Sequence, residues 1–240
     1  MRLIINADDF GLSKSITDGI IEGIKGGYIT STSIMANMEY AEYAVKEAIK
    51  NNINCIGLHI NLTIGKPVLK NSNLTDEDGV FLYNRKQVEN PKLTYEDAYN
   101  EIKSQIELIN KYSNGLIKIN HLNTHHILCD NENIKNAEIN IAKEYNIPIR
   151  NEFECDVLRP DIFCMDFTIE NVSLESIKNI INKYIDKDIV VELVTHSGYV
   201  DEYTKKWTSY LDREKELNIL KEAKNEGIFD GIELISYKEI

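Results

Sequence analysis

The sequence lacks the signals of several large classes of protein. It has no apolar run near the roughly 20 residues that a membrane-spanning helix needs. It also has no glycine-rich phosphate loop of the GxGxxG or GxxxxGKS type. Its 4 cysteines show no CxxC spacing, so we expect free thiols in a reducing compartment rather than a disulfide framework. A membrane protein, a dinucleotide-binding fold and a disulfide-stapled domain are therefore not expected.

Positive charge is also scarce. The chain has 27 Lys and Arg against 39 Asp and Glu, which gives a formal net charge of −12. Because phosphate-rich surfaces bind clustered basic residues, this balance argues against nucleic acid and anionic membranes as partners. A neutral substrate such as a sugar is compatible with it. Met1 leads directly into an apolar strand, so we expect no signal peptide and a cytoplasmic protein.

The chain does contain a regular alternation of short apolar runs and amphipathic segments. Short β-branched runs are typical of buried strands, and apolar residues three and four apart are typical of helices. The predicted strands cover residues 3–9, 29–35, 55–63, 116–121, 148–150, 189–196 and 231–236. The predicted helices cover residues 13–27, 40–51, 94–112, 131–145, 173–186 and 203–226.

This alternation predicts a parallel α/β architecture in one domain spanning residues 1–240. With about seven strands and no phosphate loop, we favour a single-domain β/α barrel, TIM-like but distorted, over a dinucleotide-binding sheet. Insertions are predicted at about 65–93 and 156–172. The longer one is expected to form a lid or wall over the site. Exposed barrel helices are compatible with a homodimer.

Side chains that carry chemistry collect at the predicted strand ends. Asp8 and Asp9 close the first strand. The 5 histidines all lie at or just after strand ends, at His59, His121, His125, His126 and His196. Because the carboxyl ends of barrel strands form one face, these residues are expected to converge there. Adjacent carboxylates are hard to keep ionised without a cation, and one carboxylate with two imidazoles suits a catalytic divalent metal.

Each of these residues also has a structural interpretation. Asp8 or Asp9 alone is compatible with a helix N-cap. A single histidine such as His59 or His196 is compatible with a hydrogen-bonded strand end. His121 and one member of the 125–126 pair are the stronger structural candidates, since adjacent side chains point in different directions. The joint arrangement is much harder to explain without a site.

The motifs resemble those of the YdjC-like carbohydrate deacetylases over essentially the full chain. Four motifs carry the resemblance, at residues 6–13, 57–67, 121–126 and 192–196. Characterised members of that family remove an acetyl group from chito-oligosaccharides such as diacetylchitobiose. The resemblance therefore implies a polysaccharide-deacetylase-like barrel. It also implies a metal-dependent hydrolase that cleaves the amide of an acetylated amino sugar or oligosaccharide.

The same resemblance implies roles for particular residues. The ligands of a divalent ion, Mg²⁺ or Zn²⁺, would be Asp9, His59 and His125. Asp8 would be the general base and His196 the general acid. Arg150 would orient a carboxylate or bind substrate. Tyr199, Tyr203 and Trp207 follow His196 and are candidates for stacking on sugar rings.

The third motif departs from the family pattern His-x-Asp-Ser-His-x-His-x-His. Asn123 and Thr124 replace its Asp and Ser, while Ile127 and Cys129 replace its later histidines. The ligand His125 is retained. The change therefore falls on the groups around that ligand, which influence metal affinity and substrate choice.

Two other functions stay open on sequence grounds. One is a different metal-dependent sugar enzyme on the same barrel, an isomerase or a phosphoesterase, which would release no acetate. The other is a non-catalytic sugar-binding member of the family, which the altered third motif favours. Such a protein would bind its ligand without turnover.

Overall fold

The computed structural model describes residues 1–240 as a parallel β-sheet flanked by α-helices. The strands, in chain order, are β1 (Arg2–Phe10), β2 (Ser31–Ile34), β3 (Ile56–Ile60), β4 (Leu122–Thr124), β5 (Ile162–Cys164), β6 (Val190–Thr195) and β7 (Glu233–Leu234). The helices are α1 (Lys14–Lys25), α2 (Ala41–Lys50), α3 (Arg85–Val88), α4 (Tyr95–Tyr112), α5 (Glu132–Tyr145), α6 (Leu174–Tyr184) and α7 (Arg213–Asn225). Short 3₁₀ turns lie at Ile169–Asn171, Thr204–Lys206 and Tyr237–Glu239.

The strands form one 7-stranded sheet in the order β4–β3–β2–β1–β6–β5, with β7 paired to the start of β1. Every strand pairing is parallel. The path ends at β4 on one side and β5 on the other, so the sheet curls into an open barrel. The predicted distorted, seven-stranded β/α barrel is thereby confirmed.

β1 lies in the middle of the sheet and is buried from Leu3 to Phe10. Its continuous apolar start is what a strand covered on both faces requires. The pairing register with β2 shifts between Ala7 and Phe10, and Asp9 lies in this bulge with φ of 69°. The irregularity explains how two adjacent carboxylates reach the same site instead of pointing to opposite faces of the sheet.

A cluster of 53 buried apolar residues fills the space between the sheet and the helices. α1 contributes Ile16 and Ile20 to this core, and the Ser13 side chain caps it by accepting a hydrogen bond from the Ile16 backbone N–H. A smaller cluster that includes Ile4, Cys55 and Tyr237 packs separately. None of the helices has the length and apolar character that a bilayer crossing requires.

One predicted strand begins at the wrong residue and another is absent. Residues 116–121 are irregular, and β4 begins only at Leu122. In this run Leu116 is 72% exposed while Ile117 and Ile119 are buried, an alternation typical of a strand, yet the regular pairing with β3 begins only at Leu122. Residues 148–150 form no strand, and Ile149 makes a single bridge to Leu122.

Two other predictions missed changes within a segment. The stretch 156–172 is predicted as an insertion without a strand, yet it holds β5, which pairs with β6. A three-residue strand is too short to show periodicity. The predicted helix 203–226 breaks into a 3₁₀ turn and α7. Between them the Tyr210 N–H donates to the Thr208 hydroxyl, a local bond that competes with helix formation.

Candidate metal centre and active site

Three candidate ligands meet at the carboxyl end of the sheet. Asp9 comes from β1, His59 from β3, and His125 directly follows β4, and ligand atoms of all three lie within 4.8 Å of one another. Asp9 Oδ1 is 3.4 Å from His59 Nε2 and 3.2 Å from His125 Nδ1. The two ring nitrogens are 3.2 Å apart. Parallel pairing of neighbouring strands creates this convergence, since it places equivalent strand ends side by side.

The donor set fits a divalent cation. Asp9 is fully buried, yet its Oδ1 forms no hydrogen bond, and His125 Nε2 also lacks a partner. Burial raises the pKa of Asp9, but Arg213 and the neighbouring imidazoles more than offset this and hold it well below its usual range. Burial lowers the pKa of His125, which favours the neutral form. An ionised carboxylate facing neutral imidazole is the form in which these groups coordinate metals.

Asn123, on β4, connects the candidate ligands to Asp8. Its Nδ2 donates to Asp8 Oδ1 at 3.3 Å and to Ser33 Oγ at 3.1 Å. Its Oδ1 therefore faces His59 Nδ1, at 2.7 Å, as an acceptor. This arrangement places a ring proton of His59 on Nδ1, so Nε2 is the nitrogen that faces Asp9. Burial opposes protonation of this ring, but the Asp8 and Asp9 carboxylates raise its pKa. Asn123 stands where the motif pattern His-x-Asp-Ser-His-x-His-x-His has Asp. Its side-chain oxygen still offers His59 a hydrogen-bond acceptor.

Asp8 is held by a buried ion pair with Arg150. Nη1 of Arg150 donates to Oδ2 of Asp8 and Nη2 to Oδ1, both at 2.8 Å. Asn6 Nδ2 and Ser33 Oγ donate to the same Oδ1, at 2.8 and 2.9 Å. Burial opposes ionisation of Asp8, but the Arg150 charge and the imidazole of His59 hold its pKa well below the usual range. Asp8 is therefore a carboxylate at neutral pH.

The network continues behind Arg150, away from the candidate ligands. Arg150 Nη2 donates to Glu192 Oε1 at 2.8 Å, and the Tyr237 hydroxyl donates to Glu192 Oε2 at 2.6 Å. Tyr237 stacks on His121 with the ring centroids 3.9 Å apart. His121 thus packs in the barrel interior, as its structural interpretation predicts, and it does not line the cavity described below.

His196 directly follows β6, at the same carboxyl edge of the parallel sheet as the candidate ligands. Its backbone N–H donates to Glu216 Oε2 at 2.5 Å, and its carbonyl accepts from Arg213 Nη1 at 3.2 Å. The ring packs edge-on against Tyr210, and Nδ1 forms no hydrogen bond. Burial lowers the pKa of His196 to about 4 despite the nearby Asp9 and Asp8 carboxylates. The imidazole is therefore neutral at physiological pH.

A cavity of about 290 Å³ opens onto this centre. Asp9, His125 and His196 form part of its lining, whereas Asp8, His59 and Arg150 lie directly behind it. The other lining residues are Tyr83, Asn84, His126, Met165, Thr168, Ile169, Trp207, Thr208, Ser209, Tyr210 and Arg213. Both predicted insertions therefore supply part of the cavity wall.

The three aromatic residues after His196 have different positions. Trp207 lines the cavity. Tyr199 instead donates its hydroxyl to Glu22 on α1. Tyr203 packs edge-on against Tyr40, with the ring centroids 4.9 Å apart. Only Trp207 is therefore placed to contact a ligand in this cavity.

The residues that depart from the third motif's pattern make local structural contacts. Thr124 donates its hydroxyl to Glu152 Oε2 at 2.7 Å, and Cys129 Sγ lies 3.9 Å from the Glu152 carbonyl.

His126 lines the cavity, and its Nδ1 is 2.9 Å from the Thr63 hydroxyl. Burial and the neighbouring His125 lower the pKa of His126 to about 3. His126 thus presents a neutral ring to the cavity.

Sequence reasoning missed Arg213, Glu216 and the role of Asn123. Arg213 and Glu216 lie in the first turn of α7 and are fully or nearly fully buried. They fall within a segment predicted as one continuous helix, where charged residues normally indicate a solvated face. The charge pattern of α7 therefore held no signal that would have found them.

Strained backbone is concentrated around the cavity. Among non-glycine residues with positive φ, four are Asn, which tolerates this region, at Asn52, Asn84, Asn114 and Asn146. The other four are Asp9, His126, Ile127 and Ile169. Three of these line the cavity and the fourth, Ile127, adjoins His126. A β-branched residue in this region is a true outlier, and such outliers cluster at functional sites.

The curled parallel sheet flanked by helices is a polysaccharide-deacetylase-like fold. A mutant of a peptidoglycan deacetylase from Bacillus subtilis has this fold, with a TM-score of 0.54 at 11% identity over 99% of this chain and 88% of that one. The family model described as YdjC-like protein matches residues 2–229, and the chain belongs to that family.

Two relatives extend the comparison over the full length. A carbohydrate deacetylase from Listeria monocytogenes is 34% identical over 250 residues, covering 100% of both chains. A crystal structure from Enterococcus faecalis, provisionally described as a cellobiose-phosphate cleavage protein, superimposes with a TM-score of 0.90. It is 29% identical and covers 99% of this chain and 98% of its own. The chain is therefore similar over its full length to proteins named carbohydrate deacetylase.

Proposed function

We propose that the protein hydrolyses the N-acetyl group of an acetylated amino sugar or chito-oligosaccharide, such as diacetylchitobiose, and releases acetate. The observation that carries this proposal is the convergence of Asp9, His59 and His125 within 4.8 Å at a cavity of about 290 Å³. The full-length similarity to a carbohydrate deacetylase supports the same reaction. The name of the Enterococcus faecalis protein also points to a sugar ligand.

Asp9, His59 and His125 would hold the divalent ion, Mg²⁺ or Zn²⁺. An ion bound there supplies Lewis-acid chemistry, since it acidifies water and polarises a carbonyl oxygen. Asn123 fixes the ring orientation of His59 for this purpose. Because the site lies at the cavity floor, the acetyl group of a substrate would enter first and the sugar ring would remain nearer the mouth.

Asp8 is the proposed general base. It is ionised at neutral pH, and the bidentate contact with Arg150 fixes its orientation. Arg150 is buried and gives both Nη groups to Asp8, so we assign it the orientation of this carboxylate and not substrate binding. The proton lost by the attacking water passes to this carboxylate as the bond to the acetyl carbon forms.

His196 is the proposed general acid for the leaving amine. An amide cannot expel an unprotonated nitrogen at a useful rate, so a positioned donor is required. Because its pKa is lowered to about 4, His196 is neutral in the free protein. We therefore place its protonation, by a proton taken from solvent water, after substrate binds and before the carbon–nitrogen bond breaks. That proton then passes to the leaving amine, while Asp8 holds the proton of the attacking water. The unpartnered Nδ1 leaves the ring free to take part in this transfer.

The proposal is tested by measuring acetate released from diacetylchitobiose. Asp9→Asn keeps the size of the side chain but removes a charged ligand, so it should abolish both acetate release and divalent-metal binding. Asp18→Asn, on the surface of α1, is the matched control and should leave both unchanged. EDTA should stop turnover, and added Mg²⁺ or Zn²⁺ should restore it.

The opposite results are equally clear. Full activity of Asp9→Asn, or turnover that persists in EDTA, would rule out the metal-dependent mechanism. If the wild-type protein binds the sugar in a calorimeter but releases no acetate, it is a sugar-binding member of the family rather than an enzyme.

A further inference from the structure

Arg213, the first residue of α7, makes the sole hydrogen bond to Oδ2 of Asp9. Its Nη2 donates to that oxygen at 2.7 Å, and the side chain of Arg213 is 2% exposed. The other oxygen of the same carboxylate, Oδ1, faces His59 and His125 without a hydrogen bond. The two oxygens of Asp9 therefore have different partners: Oδ2 accepts from the Arg213 guanidinium, and Oδ1 is left facing the two imidazoles.

A carboxylate needs such an anchor here. The terminal torsion of an Asp side chain is broad and roughly two-fold, so the torsion itself does not select one orientation. The strained backbone of Asp9, with φ of 69°, does not fix the carboxylate plane either. The bond to Arg213 leaves Oδ1 as the oxygen that points between the two imidazoles.

The same guanidinium reaches the wall of the cavity. Nη1 donates to the His196 carbonyl at 3.2 Å and Nε to the Tyr210 carbonyl at 3.3 Å. Nη2 also lies 3.4 Å from the Thr208 hydroxyl. One side chain thus sets the position of Asp9 relative to His196 and to residues 208–210.

Electrostatics alone would make Arg213 unfavourable at this place. A fixed positive charge beside a cation site repels the incoming ion. If Arg213 acted only through its charge, removing it would tighten metal binding. If it acts by orienting Asp9, removing it would weaken metal binding, because the carboxylate could rotate away. The two roles therefore predict changes of opposite sign.

We infer that Arg213 is a positioning residue for the metal centre: it holds Asp9 so that Oδ1 faces His59 and His125, and it ties this ligand to His196. The inference rests on the proposed function, since it assumes that the three residues hold a divalent ion. It adds a residue of α7 that reaches the ion only through Asp9.

The test uses Co²⁺ as the probe and needs no turnover. Co²⁺ is titrated by calorimetry into the metal-free full chain, as wild type, Arg213→Met and Arg213→Lys, and the visible spectrum of each Co²⁺ form is recorded. Both variants should bind Co²⁺ about 10–100-fold more weakly, the usual effect of losing a group that orients a ligand. Both should also show an altered spectrum. Arg2→Met, at the opposite end of β1, is the matched control and should match the wild type.

Three results would overturn the inference. Arg213→Met binding Co²⁺ as tightly as or more tightly than wild type would show that only charge matters. Wild-type affinity of Arg213→Lys for Co²⁺ would also show that only the charge of Arg213 matters. If circular dichroism shows that Arg213→Met is unfolded, the Arg213→Lys titration alone tests the inference. A wild-type protein that binds no Co²⁺ would remove the metal centre itself, and the inference with it.

Discussion

At the scale of single residues, Asn123 shows how one neutral side chain serves two charged partners. It accepts a hydrogen bond from His59 and donates one to Asp8. A carboxylate at this position could accept from His59, but it would lie beside Asp8 and repel it. The amide therefore relieves a like-charge contact while it keeps the ring proton of His59 in place.

Asn123→Ala is expected to weaken divalent-metal binding by about 10–100-fold, because His59 loses the acceptor that fixes its tautomer. Calorimetric titration of the metal-free protein measures this. Asn123→Asp is the matched control, since it keeps the acceptor and should bind the metal far better than the alanine variant. Equal affinities of the two variants would mean that Asn123 does not orient His59.

Which residues could be found from sequence follows from their position on the strands. Parallel strands present their carboxyl ends on one face, which predicts that the Asp pair and the histidines converge there. The resemblance to the YdjC-like family then singles out Asp9, His59 and His125 as the ligands. Their proximity is a geometric finding, while their role as ligands stays a prediction. Arg213 could not be found, since nothing in a helical pattern shows that its first residue turns inward to contact β1.

At the scale of elements, α1 packs against the segment that follows β6 and carries His196. Gly19 of α1 and Gly198 allow the two backbones to meet, and a Cβ added at Gly19 would lie 2.7 Å from the Gly198 Cα. Backbone cannot move aside as a side-chain tip can. The absence of a side chain at Gly19 thus helps set the position of the segment next to the active site.

Gly19→Ala should destabilise the protein by about 1–3 kcal/mol, the usual cost of overpacking, despite the better helix propensity of Ala. It should also reduce acetate release, because the clash displaces the segment next to His196. Urea unfolding and an acetate assay measure the two effects. Lys25→Ala, an exposed change in the same helix, is the control. A similar loss in both variants would contradict this account.

The elements predicted correctly are those with a clear apolar signal, such as the periodic stripe of α4 and the continuous apolar run of β1. The errors fall where tertiary contacts outweigh local pattern. β5 has only three residues and exists because β6 offers an edge. The break before α7 arises from side-chain bonds within residues 208–210. A single sequence contains no periodic signal for either feature.

At the scale of the whole molecule, the barrel interior is unusually rich in buried acidic groups for a chain of net charge −12. Arg150 and Arg213 neutralise Asp8, Glu192 and Asp9. Glu216 has no such ion pair, although Thr195, Tyr210 and the His196 N–H donate to it. Burial therefore raises its pKa to about 7.

Glu216 makes stability depend on pH in a predictable direction. Its pKa in the folded state exceeds the unfolded value of about 4.3, so the folded protein binds more protons between these values. Its contribution is complete below about pH 4.3 and is lost as the pH rises toward 7. Because Gln does not titrate, the Glu216→Gln variant does not lose this contribution to stability as the pH rises. The stability of the variant relative to wild type should thus rise over that range by on the order of 3 kcal/mol.

Urea unfolding at a series of pH values checks this slope. Glu175→Gln, an exposed change on α6, is the control and should show a constant difference from wild type. A constant difference for Glu216→Gln as well would mean that this carboxyl titrates normally in the folded protein.

Ile127 and Ile169, whose backbones have positive φ near the cavity, are tempting positions for protein engineering. Ile127 and Ile169 are 39% and 62% exposed, so core packing does not account for their strained backbone. Asn or Gly at either position would fit the local geometry better, and a thermostability screen would select such replacements readily. At position 169 each such gain in melting temperature would also remove an apolar side chain from the cavity wall, so selection for heat resistance alone would change the surface that a ligand in this cavity meets.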